Sequence, residues 1–292
     1  MKRTILLSLG VLLGVLPAAL ISAAQPDHAG LSNPFYAMDT AFARPGLSTE
    51  QQLDLVAQLG YAGIAWSETA PEKAKAIAQQ AEKRGLKMCT IYCRATVTPQ
   101  GDLTCSPQLP QLMEALKGHG TIIWLHVGGR GPALDSLNGG APLVKKLRSL
   151  ADTAAANDLR IAIYPHVGEW TARFADATRL ARLVDHPRFG VTFNLCHALA
   201  MGDEQRIASL LEAARQVLFT VTINGADSGV NKPDWARLIR TLDRGTFDVG
   251  IVLRKLRQIG FAGPIGFQGY AISGDSRSIL APTIQAWRKL SH

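Results

Sequence analysis

The sequence predicts a (β/α)8 TIM barrel, and three features indicate that fold. Short apolar runs alternate with longer amphipathic segments from about residue 33 onwards. The apolar runs are continuous rather than alternating in hydrophobicity, which is typical of parallel strands covered on both faces. A chain of 292 residues is long enough for one barrel of about 250 residues. The eight predicted strands are 35–38, 63–66, 87–92, 121–127, 160–164, 190–193, 218–223 and 264–267.

The segments between these strands have the apolar spacing of amphipathic helices. Ser48 and Gln51 predict a capping box before the first of them, and glycines end several others. The main alternative is an open, doubly wound sheet, but no Gly-x-Gly-x-x-Gly turn follows the first predicted strand. We therefore predict one barrel domain over residues 33–292. The glycines at predicted helix ends are Gly60, Gly85 and Gly260.

Residues 1–24 are predicted to be a signal peptide and not part of the barrel. Two basic residues precede an apolar run that extends to about Leu16, and Ser22-Ala23-Ala24 places small residues where a signal peptidase cleaves. Gly14 and Pro17 interrupt the run, so an uncleaved membrane anchor is the weaker interpretation. We expect an exported protein, periplasmic or secreted, with no stable membrane association after cleavage.

The charge distribution argues against a nucleic-acid partner. The formal net charge of +8 falls to +6 when the two charges of Lys2 and Arg3 are removed with the signal peptide. The remaining basic residues are scattered along amphipathic segments without a run of five, which is typical of solvated helix faces. We expect a small-molecule ligand and no nucleic acid.

The four cysteines do not define a disulfide framework, although export would permit pairing. Cys89 and Cys93 lie in one predicted strand, where about 13 Å separates their Cα atoms, too far for a disulfide. A bond between Cys93 and Cys105, across the polar loop 96–104, is the pairing that remains. Free buried thiols, including Cys196, are the favoured interpretation.

Polar side chains follow most of the predicted strands. In a barrel of this kind the active site lies at the carboxyl ends of the strands. His166 and His197 follow two different strands and are predicted to point toward one mouth, whereas His126 is equally consistent with a packing role. The strand-end residues are Asp39, Ser67 or Glu68, Arg94, His126, His166, Asn194, His197, Asn224, Asp227, Gln268 and Tyr270.

Four short segments carry a resemblance to a known family. They are Gly60-Tyr61-Ala62-Gly63-Ile64, Asn194-x-x-His197, Asn224-x-x-Asp227 and Gly263-Pro264-Ile265-Gly266-Phe267-Gln268. Over about residues 34–290 the chain resembles the xylose isomerase-like TIM barrels of the AP endonuclease 2 superfamily. That family includes sugar phosphate isomerases and epimerases, inosose dehydratases and endonuclease IV. The resemblance implies a carbohydrate ligand and an active site at the mouth of the barrel.

The resemblance also implies where a metal would bind. In that family carboxylates and a histidine at the ends of the fifth to eighth strands hold the metal. All four places differ in this chain, whereas His197 and Asp227, which follow the sixth- and seventh-strand ligands by three residues, are retained. The four differing places are Tyr164, Asn194, Asn224 and Gln268.

These substitutions change the expected cofactor. Neutral amides and a protonated phenol do not offset the charge of Mg²⁺ or Mn²⁺, so tight binding of those ions at the usual place is not expected. A site built on His166 and His197, with His126 or Asp39 as further ligands, could take Zn²⁺ or another transition metal. We therefore expect either no cofactor or a divalent transition metal.

We predict an exported enzyme that resembles sugar isomerases and epimerases and acts on a small carbohydrate or keto-sugar with an atypical site. The alternatives are a carbohydrate-binding barrel without activity, or a metal-free lyase or hydrolase. His166, His197 and Asp39 are the candidate acids and bases. The candidate substrate-binding residues are Asn194, Asn224, Asp227, Gln268, His126, Tyr164 and Trp170.

Overall fold

Eight parallel strands form a closed barrel in the computed structural model, which describes residues 30–67 and 70–292. The predicted signal peptide and Glu68 lie outside the described residues. A ninth strand, β4, pairs antiparallel with β3 at the edge of the barrel. The strands are β1 (Phe35–Met38), β2 (Gly63–Trp66), β3 (Lys87–Val97), β4 (Leu103–Cys105), β5 (Ile122–Gly129), β6 (Arg160–Ile163), β7 (Phe189–Asn194), β8 (Leu218–Ile223) and β9 (Ile265–Phe267).

Neighbouring barrel strands pair in the order β2-β1-β9-β8-β7-β6-β5-β3, and a β2–β3 pairing closes the ring. All of these pairings are parallel. Two neighbouring parallel strands need a long crossover connection, and helices form most of these connections here. The predicted (β/α)8 barrel is therefore confirmed.

Helices lie between the strands and cover the outside of the barrel. The predicted capping box of Ser48 and Gln51 is present, and Gly60 ends the same helix at a φ of 86°. The helices are α1 (Asp39–Phe42), α2 (Thr49–Leu59), α3 (Pro71–Glu82), α4 (Leu109–Ala115), α5 (Pro142–Ala156), α6 (Phe174–Val184), α7 (Leu195–Ala200), α8 (Ile207–Ala214), α9 (Trp235–Leu238), α10 (Gly250–Gln258) and α11 (Ser276–Leu290). In the described part of the chain, no helix has the length and apolarity that a membrane crossing requires.

The segment predicted as a polar loop after the third strand is a β-hairpin instead. β3 continues to Val97, and Thr96 pairs with Thr104 on β4. The sequence prediction missed this hairpin because its residues alternate between buried and exposed, unlike the continuously buried barrel strands. Cys93 and Cys105 lie on these two strands, and all four cysteines are free thiols.

The barrel interior is filled below its carboxyl end. Tyr36, Trp124 and Tyr164 are each at most 1% exposed and belong to one interior cluster. Gly266 makes room for the ring of Tyr36, since a Cβ atom at that position would lie 2.3 Å from the ring. A larger cluster packs the outer faces of the strands against the helices. Above these interior aromatic side chains a pocket remains open at the carboxyl end of the barrel, where the sequence placed the polar residues.

Candidate active site

A pocket of about 250 Å³ lies at the carboxyl ends of the strands. Its walls combine aromatic rings with a few polar groups, as small-molecule sites usually do. The pocket brings together four of the predicted catalytic and substrate-binding residues, which are Tyr164, His166, His197 and Gln268. Its other lining residues are Met38, Thr40, Ser67, Tyr92, Trp235, Ile239 and Tyr270.

His166 and His197 contact each other in this pocket, with ring centroids 4.2 Å apart. His166 follows β6 in the loop that leads to α6, and His197 lies in the first turn of α7. The backbone of Val167 contacts both rings. The Nδ1 atom of His166 lies 2.8 Å from the carbonyl oxygen of Val167, and the Nδ1 atom of His197 lies 3.4 Å from its backbone nitrogen.

These two contacts fix opposite tautomers for the neutral rings. A carbonyl oxygen only accepts, so Nδ1 of His166 donates and its Nε2 keeps a free lone pair. A backbone N–H only donates, so Nδ1 of His197 accepts and its Nε2 carries the proton. The pair therefore offers one proton acceptor and one proton donor, as acid–base catalysis requires.

Burial keeps both rings neutral. It lowers the pKa of His166, and it lowers the pKa of His197 well below the usual value, with a further decrease from the neighbouring His166 and His126. Desolvation penalises the charged imidazolium form, which explains the direction of both shifts. At neutral pH the donor and the acceptor are therefore both available.

The phenol of Tyr164 is the centre of a neutral hydrogen-bond network. The Nδ2 atom of Asn194 lies 2.5 Å from the Tyr164 oxygen, and Nε2 of Gln268 lies 3.4 Å from it. Both amide orientations are set by backbone donors. The N–H of His197 donates to Oδ1 of Asn194 at 3.4 Å, and the N–H of Tyr270 donates to Oε1 of Gln268 at 3.1 Å.

The proton of the Tyr164 hydroxyl is available to a ligand. Both amides donate N–H groups to the phenol oxygen, so this oxygen acts as an acceptor toward them. No other hydrogen-bond partner of the hydroxyl occurs among the described residues, and Tyr164 lines the pocket. Burial raises its pKa well above the usual value, so the group stays protonated and can donate.

This network does not fit the divalent metal that the family resemblance implies. Asn194 and Gln268 turn their N–H groups, and not their carbonyl oxygens, toward the phenol. Tyr164 stays neutral, so the three side chains supply no negative charge to offset a dication. Polarisation of a ligand at this place therefore has to come from hydrogen bonds.

Two predicted substrate-binding residues stabilise the loop after β8 instead of lining the pocket. Asn224 is fully buried, and its amide donates to the carbonyl oxygens of Gly225 at 2.8 Å and Leu238 at 2.7 Å. The carboxylate of Asp227 pairs with Arg240 at 2.9 Å and Arg237 at 3.2 Å. The amide nitrogen of Asn224 is satisfied by these two backbone acceptors, whereas its Oδ1 atom has no hydrogen-bond partner among the described residues. A sequence pattern does not distinguish such a buried amide from one that contacts a ligand.

Trp170 and Asp39 also lie outside the pocket lining. The indole N–H of Trp170 donates to the carbonyl oxygen of Pro132 at 3.0 Å, so the ring packs on the loop after β5. Asp39 begins α1, and its Oδ2 atom accepts the backbone N–H of Ser67 at 2.7 Å. Burial raises the pKa of Asp39, because an ionised carboxylate loses solvation there.

The environment of Asp39 leads to a stability prediction. We expect Asp39→Asn to raise the free energy of unfolding at pH 7 by about 1 kcal/mol, because the amide oxygen keeps the Ser67 contact and the desolvated charge is removed. The pKa of Asp39 in the folded state lies above its value in the unfolded state. The free energy of unfolding of the wild type is therefore below that of Asp39→Asn at pH 7, and this difference shrinks as the pH falls through the folded-state pKa. It vanishes below the unfolded pKa of about 3.9. Urea denaturation of both proteins between pH 3 and 8 measures this; a constant difference would contradict the explanation.

A second polar cluster borders the histidine pair. His126, His166 and Glu169 each offer a ligand atom, and these atoms all lie within 4.8 Å of one another. The guanidinium of Arg94 lies 3.2 Å from Glu169. The sequence analysis missed Glu169 because it lies in a loop, and the signal that could have found it is the His166-x-x-Glu169 spacing. These three side chains could hold a metal ion.

The match to a family model identifies the class of protein. Residues 53–289 match the model described as xylose isomerase-like TIM barrel. The chain belongs to that family, as the resemblance implied. No curated protein matches the chain.

Solved structures share this fold. The chain is similar to 3-keto-D-glucoside 4-epimerase from E. coli, with 16% identity, a TM-score of 0.65, and coverage of 88% of this chain and 98% of that one. It is also similar to an IolI protein with a bound zinc atom, with 16% identity, a TM-score of 0.70 and the same coverage. A fusion of a xylose isomerase-like barrel with a 4-hydroxyphenylpyruvate dioxygenase matches at 18% identity and a TM-score of 0.65. The match covers 88% of this chain and 42% of the fusion protein.

Proposed function

We propose that this protein is a sugar-modifying enzyme of the isomerase or epimerase type. Its substrate would be a small carbohydrate or keto-sugar, and it would work without a metal at the place used by its family. The observation that carries the proposal is the contact between His166 and His197 in opposite tautomers within one pocket. The pocket of about 250 Å³ is smaller than typical drug-sized sites of about 300–1,000 Å³, which favours a ligand of one sugar ring.

The proposed reaction moves one proton at a carbon atom next to a carbonyl group. Nε2 of His166 removes the proton, and the electron pair of the broken C–H bond forms the enolate. Nε2–H of His197 then donates its proton to the same carbon atom, so that the enolate electron pair forms a new C–H bond and the carbonyl group is restored. This leaves His166 as an imidazolium and His197 as an imidazolate. After product release, one proton passes between the two rings or through water, which restores the starting tautomers.

The developing negative charge on the carbonyl oxygen needs a hydrogen-bond donor. The hydroxyl of Tyr164 would supply it, since its proton is free and Asn194 and Gln268 hold its oxygen in place. Donors fixed before the reaction stabilise an oxyanion without the cost of reorganising solvent. The rings of Tyr92 and Trp235 would provide the apolar faces on which a sugar packs.

Proton exchange with solvent tests the function whichever product the enzyme forms. Purified protein is incubated in D₂O with a panel of keto-hexoses, keto-pentoses and 3-keto-glycosides, and mass spectrometry follows deuterium at carbon. We expect incorporation of one deuterium into at least one substrate. Saturable binding of a sugar without exchange, bond cleavage or isomerisation would instead support the non-catalytic alternative. A product in which a glycosidic bond or another C–O bond has been cleaved would support the lyase or hydrolase alternative.

We also propose that the protein is exported. The support comes from the basic residues, the apolar run and the small residues before Gln25 in the first 24 residues. Mass measurement of protein from the exported fraction of the natural host should show the loss of about 24 N-terminal residues. Recovery of the chain with Met1 in place, from the cytoplasm alone, would contradict export.

A further inference from the structure

We propose that His126, His166 and Glu169 form a transition-metal site beside the histidine pair, displaced from the place where the family holds its metal. The ligand set is two imidazoles and one carboxylate, which suits Zn²⁺ or Co²⁺ better than Mg²⁺. Three protein ligands leave at least one coordination position open to water or substrate. The proposal goes beyond the proposed function, because metal binding is measurable without turnover.

His126 is the residue that points to a ligand. Its side chain is 4% exposed, and neither ring nitrogen has a hydrogen-bond partner among residues 30–67 and 70–292. The Nε2 atom does lie 3.3 Å from Oε1 of Glu169, but this contact lacks hydrogen-bond geometry. A buried imidazole without partners is costly, and most such groups are satisfied by protein, water or an ion. The separation of 3.3 Å is about that between two ligand atoms of a tetrahedral ion bound at about 2.0–2.1 Å.

The other two ligands are positioned by their own neighbours. Nδ1 of His166 donates to the carbonyl oxygen of Val167, which leaves Nε2 as the ligand atom. Such an outer hydrogen bond orients the histidine at many metal sites. Arg94 donates to Glu169 at 3.2 Å and fixes the carboxylate in the same way. The three ligand atoms all lie within 4.8 Å of one another, so side-chain rotations would bring them to the distances that a bound ion requires.

Gly128 allows Glu169 to reach the site. A Cβ atom at position 128 would lie 2.2 Å from Oε2 of Glu169 and 3.2 Å from its carboxyl carbon. Any side chain at this position would therefore displace the carboxylate. Gly128 follows His126 by two residues on β5, so one strand supplies both a ligand and the space for another.

Metal binding and the proposed proton transfer use the same lone pair on Nε2 of His166. An ion in the site would therefore compete with the base in the reaction, and turnover, where present, should fall as Zn²⁺ fills the site. The expected fall in turnover rests on the proposed function, whereas the measurement of metal binding does not. Binding without any effect on exchange would contradict the role of His166 as the base and leave the metal site standing.

Titration of chelator-treated protein with Zn²⁺ and Co²⁺ tests the site. We expect one ion per chain by calorimetry, and visible absorption of bound Co²⁺ with an intensity typical of four- or five-coordination. His126→Ala and Glu169→Gln should weaken affinity more than about 100-fold, since loss of an outer partner alone costs about 10–100-fold. Gly128→Ala should weaken it about 10-fold or more while all three ligands remain.

A histidine–carboxylate pair elsewhere provides the matched control. His119 lies 2.6 Å from Glu82 on the outside of the barrel, and we expect His119→Ala and Glu82→Gln to bind the metal as the wild type does. Circular dichroism and melting temperature show whether each variant is folded. Absence of stoichiometric binding by the wild type would overturn the proposal. Equal losses in the folded site variants and the control variants would do the same.

Discussion

Replacing His197 or His166 with alanine is expected to lower kcat for solvent proton exchange by about 10²-fold or more. Each change removes one of the two groups that handle the proton, and such groups usually contribute about 10²–10⁴-fold. KM should change less, because the loss concerns the transition state. Because the two rings act as a unit, the double variant should be little slower than the slower single variant. Exchange kinetics of the three variants in D₂O measure this effect.

Chemical rescue distinguishes a role of His197 in proton transfer from a purely structural role. Added imidazole should partly restore the turnover of His197→Ala, because it supplies the missing donor in the space that the side chain leaves. His186→Ala is the control, since His186 lies 3.3 Å from Asp152 outside the pocket lining. Undiminished turnover in the double variant would remove the histidine pair from the mechanism. Turnover that is lost on chelation and fully restored by Mn²⁺ would show that a metal takes part in the reaction and that the four substituted ligand positions were misjudged.

Tyr164→Phe is expected to lower kcat by about 10²–10³-fold, the usual cost of losing one oxyanion donor. The substitution removes the O–H group that would face the substrate and leaves the ring, which is 1% exposed, in place. It also leaves the N–H groups of Asn194 and Gln268 without their acceptor, so the free energy of unfolding should fall by about 1–3 kcal/mol. Steady-state kinetics and urea denaturation of the same preparation separate the two effects.

Tyr36→Phe is the matched control for this change. Tyr36 belongs to the same interior cluster, is fully buried, and its hydroxyl lies 3.0 Å from Thr220, but it does not line the pocket. We expect a loss of stability of similar size with kcat unchanged within a factor of about three. If both variants lose turnover equally, the hydroxyl of Tyr164 acts through stability and not as a donor to the substrate.

Local patterns in the sequence were sufficient for the fold. Each barrel strand is a continuous apolar run, each helix has its own periodicity and ends, and these features depend on residues close together in the chain. The positions after the strands gave His166, His197 and Gln268, and the resemblance added Tyr164; all four line one pocket. The β3–β4 hairpin was missed because its half-exposed residues lack the pattern of a buried strand.

The partners of the polar side chains were decided only in the tertiary structure. Gln268 reaches Tyr164 across 104 residues, and Asp227 pairs with arginines that the sequence analysis did not connect to it. The carbonyl oxygen and the backbone N–H of Val167 set the tautomers of His166 and His197, respectively. Glu169 joins His126 because Gly128 leaves space for it. The sequence by itself therefore determined the barrel, the family and the missing carboxylates, which follow from residue type and local order. Which groups donate, accept or remain unpaired depends on distances between strands, and only packing fixes those.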